Sequence, residues 1–193
     1  MWTQIAMRGV LAAVLGMMAA TGHAADKGDR STKGAKADTS QISKGDQNFM
    51  MDAAQGGMLE VRMGKLAQER GQSDAVKQYG KRLEADHSKA NEQLMAIAQK
   101  NGVTLPTSLD KKHMGHVDKL SKAKAENFDR DFAKQMVDDH QKDIKKFKHI
   151  ADKVDNAELK QFASQTVPVL EEHLAMARDL TGKGKGGGKG GSK

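Results

Sequence analysis

Residues 73–100 read SDAVKQYGKRLEADHSKANEQLMAIAQK, and their spacing decides the class of fold. Val76, Tyr79, Leu83, His87, Ala90, Leu94 and Ile97 recur at steps of three and four. That period lays side chains along one face of an α-helix. Ser73 is a good N-cap and Asn101-Gly102 breaks the pattern, so the spacing predicts a helix from Ser73 to about Lys100. One member of the stripe is out of place. His87 stands where a hydrophobe is expected.

The same period extends outward in both directions. Upstream, about Asp46 to Arg70 carries Phe49, Ala53, Gly56, Glu60, Met63 and Ala67 on one stripe and ends at Gly71, the usual glycine stop. Downstream, Leu105-Pro106-Thr107-Ser108 opens a connection and a shorter helix spans about Leu109 to Leu120. A third long helix covers about Glu126 to Val154, with Phe128, Phe132, Met136, His140, Ile144, Phe147 and Ala151 in line. The fourth covers about Asn156 to Leu180, with Leu159, Phe162, Thr166, Val169, His173, Met176 and Leu180. Pro168 falls inside that last pattern and should kink it or leave one carbonyl without its donor. Four amphipathic helices of roughly 25 residues, each ~38 Å long, predict an all-α four-helix bundle. An extra short helix lies between the second and third long ones.

Composition agrees and excludes much else. The 193 residues are 37% hydrophobic and 4% aromatic, enough for one domain with a modest core. With no cysteine, disulfides, thiol nucleophiles, zinc fingers, iron–sulfur clusters and a lipoprotein anchor are ruled out. The net charge of +7 looks like a nucleic-acid signal until it is located. Residues 45–181 balance 22 cations against 22 acids, so the excess lies in the ends. A DNA reader places its charge on the folded docking face, and the expectation is no nucleic-acid partner.

Those ends have their own reading. Arg8, the apolar run Gly9 to Ala20 and the small residues of Thr21-Gly22-His23-Ala24-Ala25 form a secretory signal peptide, residues 1–24, cleaved after Ala24 or Ala25. Its apolar run is too short to span a bilayer. The expectation is a periplasmic or secreted protein with no transmembrane span after processing. Residues 25–45 read as a disordered polar linker, residues 46–181 as the bundle, and residues 182–193 as a flexible tail. Lys183, Lys185, Lys189 and Lys193 in that tail offer contact with an anionic envelope surface.

Polar residues on the apolar stripes carry the chemistry. Each long helix has one metal-competent side chain there: Glu60, His87, His140 and His173. At ~1.5 Å per residue all four fall near the middle of the bundle. Asp86-His87, Asp139-His140 and Glu172-His173 are each an acid followed by histidine. The acid is turned about 100° from its own histidine, where it can accept the N–H of a histidine on a neighbouring helix and fix its tautomer. Glu84 stands three residues before His87, the Glu-x-x-His spacing of di-iron bundles. The third helix has Val137 at the matching position. A weak repeat reinforces the pairing: Tyr79-x-Lys81-x-Leu83-x-x-Asp86-His87-x-Lys89 recurs as Phe132-x-Lys134-x-Met136-x-x-Asp139-His140-x-Lys142. His113-Met114-x-His116 has donors that suit copper, but on a short lysine-flanked helix it reads as solvated surface.

Phe49-Met50-x-x-Ala53-Ala54-Gln55-Gly56-Gly57-Met58-x-Glu60, Asp86-His87-Ser88-Lys89-Ala90-Asn91, Val103-Thr104-Leu105-Pro106, Met136-Val137-x-Asp139-His140 and Glu172-His173-Leu174 occur in that order. In these motifs residues 46–180 resemble an exported bacterial family, domain of unknown function 4142. The resemblance implies a ferritin-like bundle and export, and supplies no reaction.

The leading reading is a non-catalytic or weakly catalytic bundle of the envelope that binds a divalent transition metal, with a role in metal or oxidative stress. Glu60, His87, His140 and His173 are the expected ligands, and Glu84, Asp86, Asp139 and Glu172 the groups behind them. Nitrogen-rich ligation suits zinc, copper, nickel or iron. The alternative is a structural or interaction protein of the envelope whose buried Asp/Glu–His network satisfies itself. A di-iron oxidase is disfavoured, because the stripes offer too few carboxylates.

Overall fold

Short polar side chains start most of the helices. The computed structural model describes residues 42–182. The expected signal peptide, the linker to residue 41 and the tail from residue 183 lie outside the described residues. Five helices and no strand occur among those described: α1 (Lys44–Arg70), α2 (Asp74–Lys100), α3 (Lys111–Ser121), α4 (Ala125–Lys153) and α5 (Ala157–Leu180). Ser73, Asp110 and Asn156 cap α2, α3 and α5 by accepting from Val76, His113 and Leu159 N–H. α1 begins two residues earlier than the periodicity predicts. Ser43 accepts from Asp46 N–H at 3.1 Å and Ile42 is buried against the core, so Lys44 and Gly45 belong to the helix rather than to the linker.

Two glycine stops differ in kind. Gly102 has φ +67°, and the amides of Gly102 and Val103 donate to Gln99 and Ala98 carbonyls, the left-handed stop expected after α2. Gly71 has φ −55°, which any residue adopts, so its role is space. A Cβ there would sit 2.5 Å from the Ala67 carbonyl oxygen and 2.8 Å from Val76 Cγ1.

α1 with α2 and α4 with α5 form two hairpins, joined by packing of α2 on α5 and of α1 on α4. The first hairpin closes tightly. A Cβ on Gly64 would lie 2.5 Å from the Gly80 carbonyl oxygen, and one on Gly80 2.6 Å from that of Gly64. α3 packs on α1 and α4 and is held from both ends. Gln55 donates to the Ser108 carbonyl at 2.9 Å and accepts from Asp110 N–H at 3.0 Å. The Arg70 guanidinium donates to Ser121 and Ala123 carbonyls and lies 5.3 Å from the centre of the Phe128 ring. In α5, Pro168 has no N–H to give the Ser164 carbonyl.

The apolar residues divide into two clusters. One gathers Phe49, Met50, Leu94, Ile144, Phe147 and Phe162. The other gathers Met63, Tyr79, Leu83, Phe128, Phe132 and Met136. Along α2, Leu83 belongs to the second and Leu94 to the first, with His87 between them; along α4, Met136 and Ile144 flank His140 in the same way. A polar layer therefore separates two dry cores. No described helix is long and apolar enough to cross a membrane.

Candidate functional site

Helical periodicity puts Glu60 of α1, His87 of α2, His140 of α4 and His173 of α5 into that layer. They are among the least exposed polar residues described: Glu60 2%, His87 5%, His140 and His173 0%. The imidazole centroids lie 5.2 Å (His87–His173), 5.3 Å (His140–His173) and 5.8 Å (His87–His140) apart. One ring nitrogen from each histidine falls within 4.8 Å of the other two.

The hydrogen bonds behind the rings assign the protons. His140 Nδ1 donates to the Met136 carbonyl at 2.9 Å, which leaves Nε2 with a lone pair. Glu60 Oε1 is 3.3 Å from that same Nδ1 yet has no hydrogen bond, because the single N–H points at Met136. Glu60 Oε2 lies 3.0 Å from His87 Nδ1. Glu60 in its carboxylate form, which a nearby cation favours, makes Nδ1 the protonated nitrogen; His87 Nε2 is buried without a partner. Asp86 Oδ2 lies 3.0 Å from His173 Nε2, so His173 carries its proton on Nε2 and its lone pair on Nδ1. That Nδ1 is 3.2 Å from His140 Nε2. With all three rings neutral, two lone pairs meet at hydrogen-bond distance and a third is orphaned nearby. The contact is repulsive unless a positive charge enters it, as a proton or as a metal ion.

A proton is disfavoured. Burial pushes His140 down to about 3, helped by the neighbouring His173. Burial likewise lowers His87 well below the usual imidazole range, with His140 and His173 adding to it. Burial outweighs the raising influence of Asp86 and leaves His173 lowered too. Asp86 stays ionised: burial opposes it, but the hydrogen bonds and charges of Arg82 and His173 prevail. Glu60 is raised well above the usual carboxylate range by burial and then by Asp143 and Asp139.

The other acids of the sequence reading go elsewhere. Glu172 is exposed and pairs with Arg82 at 3.1 Å. Glu84 accepts from Gln68 at 2.7 Å and lies 3.6 Å from Lys65. Asp139 has Oδ2 buried without a partner and Oδ1 3.6 Å from Lys142. Of the four acids, Asp86 is the one in contact with a histidine of the cluster.

Three groups escaped the sequence reading. Tyr79, read as core, has a buried hydroxyl with no partner, raised by burial and then by the Glu60 charge. His113 and His116 are not simple solvated surface: both line a recess that reaches Glu60. Asp143 lines that recess as well, and burial raises its carboxyl to about 6. Its signal lies in the spacing, three residues after His140 and four after Asp139, on the side of the histidine opposite to the acid–histidine pairs.

Asp143 gives a pH-dependent expectation. A carboxyl whose folded pKa is raised contributes most below its unfolded value near 4, and that contribution is lost as pH rises through about 6. Asp143→Asn removes the strain of the charged form. Since Asp143 is only half-buried, it should stabilise the protein by about 1–2 kcal/mol above pH 6, and by nothing below pH 4. Urea unfolding of both proteins from pH 4 to 8 measures the difference, and a difference that does not change with pH contradicts the assignment.

Residues 31–180 match a family model described as a domain of unknown function, DUF4142. Among solved structures the chain is similar to one titled as the crystal structure of a DUF305 fragment from Deinococcus radiodurans. The TM-score is 0.65 and the identity 17%, over 74% of this chain and 98% of that one. At that identity the likeness shows the fold alone. No curated protein matches.

Proposed function

The chain belongs to the DUF4142 family, and we propose that it is an exported, ferritin-like bundle of the bacterial envelope that holds one divalent transition-metal ion between His87, His140 and His173. One observation carries the reading: each histidine has its proton committed behind the ring, to Glu60, the Met136 carbonyl and Asp86, so three lone pairs share one dry space. Two ligand nitrogens 3.2 Å apart suit an ion bound at ~2.0–2.1 Å to each in tetrahedral geometry. A divalent charge would also be balanced by the Glu60 and Asp86 carboxylates.

The sequence reading made Glu60 a ligand. Here it is assigned to orienting His87, because its Oε2 sits at Nδ1 and not at Nε2. Export rests on Arg8, the apolar run to Ala20 and the small residues before Ala25. The lysines from Lys183 to Lys193 supply the contact with anionic envelope surface, and the role is metal or oxidative-stress handling. The family name supplies no reaction, and none is assigned.

The second reading is the self-satisfied structural network. It is favoured by the contact between His140 Nε2 and His173 Nδ1, which one extra proton would turn into a hydrogen bond. Elemental analysis of protein purified from the envelope fraction without an affinity tag separates the two. The metal reading expects about one equivalent of a single transition metal. Protein that is metal-free, and stays so after dialysis against zinc, cobalt or copper, hands the site to the structural reading.

A further inference from the structure

We propose that a divalent cation reaches the three histidines through the polar recess between α1, α3 and α4, passing His113 and Asp143 at the mouth and Glu60 at the inner end. The inference rests on the metal-binding reading above and adds a path to it.

Two recesses touch Glu60, and their walls differ. One holds about 30 Å³ and touches His87; Asp52, Asn91, Asp143 and Lys146 share its wall with Phe49, Leu94 and Phe147. That is space for a water or two, too little for an ion that still carries most of its hydration shell. The other holds about 160 Å³ and presents His113 and His116 from α3, Asp139 and Asp143 from α4, and Glu60 from α1. Glu60 is the deeply buried end of this set at 2% exposure, and its Oε1 has no hydrogen-bond partner while Oε2 is on His87. A carboxylate so placed contacts the recess on one side and the cluster on the other.

The charges at the mouth are arranged unevenly. Lys146 is 3.4 Å from Asp52 and Lys142 3.6 Å from Asp139, whereas Asp143, and Lys112 on the exposed side, make no ion pair among the described residues. Asp139 Oδ2 is also without a partner. His113 Nδ1 lies 2.8 Å from Asp110 Oδ1, an arrangement that puts the lone pair of the neutral ring on Nε2. Gln55 and Arg70 fix α3 to α1 at both ends, which keeps these histidines at the mouth. The recess groups do not converge as the inner histidines do, which are the cluster of metal-holding geometry among the described residues. Loose, successive contacts suit passage, since an ion must leave each one.

The test uses the full protein, freed of metal, with cobalt(II) as the probe. Capture is followed by stopped-flow absorbance at low salt, and affinity by competition with a chelator. Asp143→Asn combined with His113→Ala should slow capture at least tenfold. Release should slow alike, so that affinity changes less than twofold. Lys146→Gln, which removes a cation from the mouth, should speed capture. All three positions are at least partly exposed, and Asp143→Asn is expected to fold at least as stably as the wild type. Wild-type capture rates in every variant, with normal affinity, overturn the route and leave the site standing. A wild type that binds no cobalt overturns the site and the route together.

Discussion

Zinc or cobalt added in excess to the metal-free protein should raise its melting temperature by about 10 °C, and alanine at His87, His140 or His173 should abolish the rise. The size follows from mass action. An ion at a thousandfold excess over its dissociation constant stabilises the folded state by about 4 kcal/mol, provided the unfolded chain binds weakly. For a domain of this length each kcal/mol moves the melting temperature by ~2–4 °C or slightly more. The effect should be cut by acid, because only neutral imidazoles bind metal. Glu60→Gln and Asp86→Asn probe a different layer of the same site. They leave all three ligands in place but loosen the tautomers of His87 and His173, and should weaken affinity by about 10–100-fold without abolishing binding. Differential scanning calorimetry with and without metal measures all of these. A rise that persists in His140→Ala contradicts the arrangement.

Gly64→Ala should destabilise the protein by about 2 kcal/mol. Two effects oppose each other here. Alanine is the better helix former by about 1 kcal/mol in a helix interior. Against that, the new methyl would lie 2.5 Å from the Gly80 carbonyl oxygen and 3.0 Å from Glu84 N. Both obstacles are backbone, so no side chain can swing aside; the helices must separate, and overpacking of this kind costs about 1–3 kcal/mol or more. Gly80→Ala meets the Gly64 carbonyl oxygen at 2.6 Å and should behave alike. Gly115→Ala is the control: its Cβ meets nothing within 4 Å, so only the propensity gain should remain. Urea midpoints of the three variants decide it. A Gly64→Ala protein as stable as the Gly115→Ala protein would contradict the close crossing.

The contrast between these residues explains what could be read from the sequence. Helix positions were legible because burial of one face imposes a period on the residue types, and His87, His140 and His173 stand out as breaks in it. Asp86 and Glu172 precede histidines identically and both pair with Arg82, yet Asp86 alone also meets His173. Which neighbour such an acid faces depends on how each helix is rotated against the next, and no local pattern records that. Gly64 and Gly80 look like ordinary small residues until two backbones are known to cross there. Gln55 and Arg70 anchor α3 across more than fifty residues of chain, and such long-range pairs leave no trace in spacing.

The division of the bundle into two hairpins has a consequence for kinetics. His87 belongs to the α1–α2 hairpin, and His140 and His173 to the α4–α5 hairpin. Each hairpin closes through contacts local in sequence and can form early, but neither alone owns the three lone pairs. Capture of an ion is therefore confined to the last act of assembly, when the hairpins dock. An interaction absent from the transition state leaves the folding rate alone and slows unfolding. The ion would act as a latch between two prefabricated halves, prolonging the lifetime of the assembled protein rather than hastening its birth.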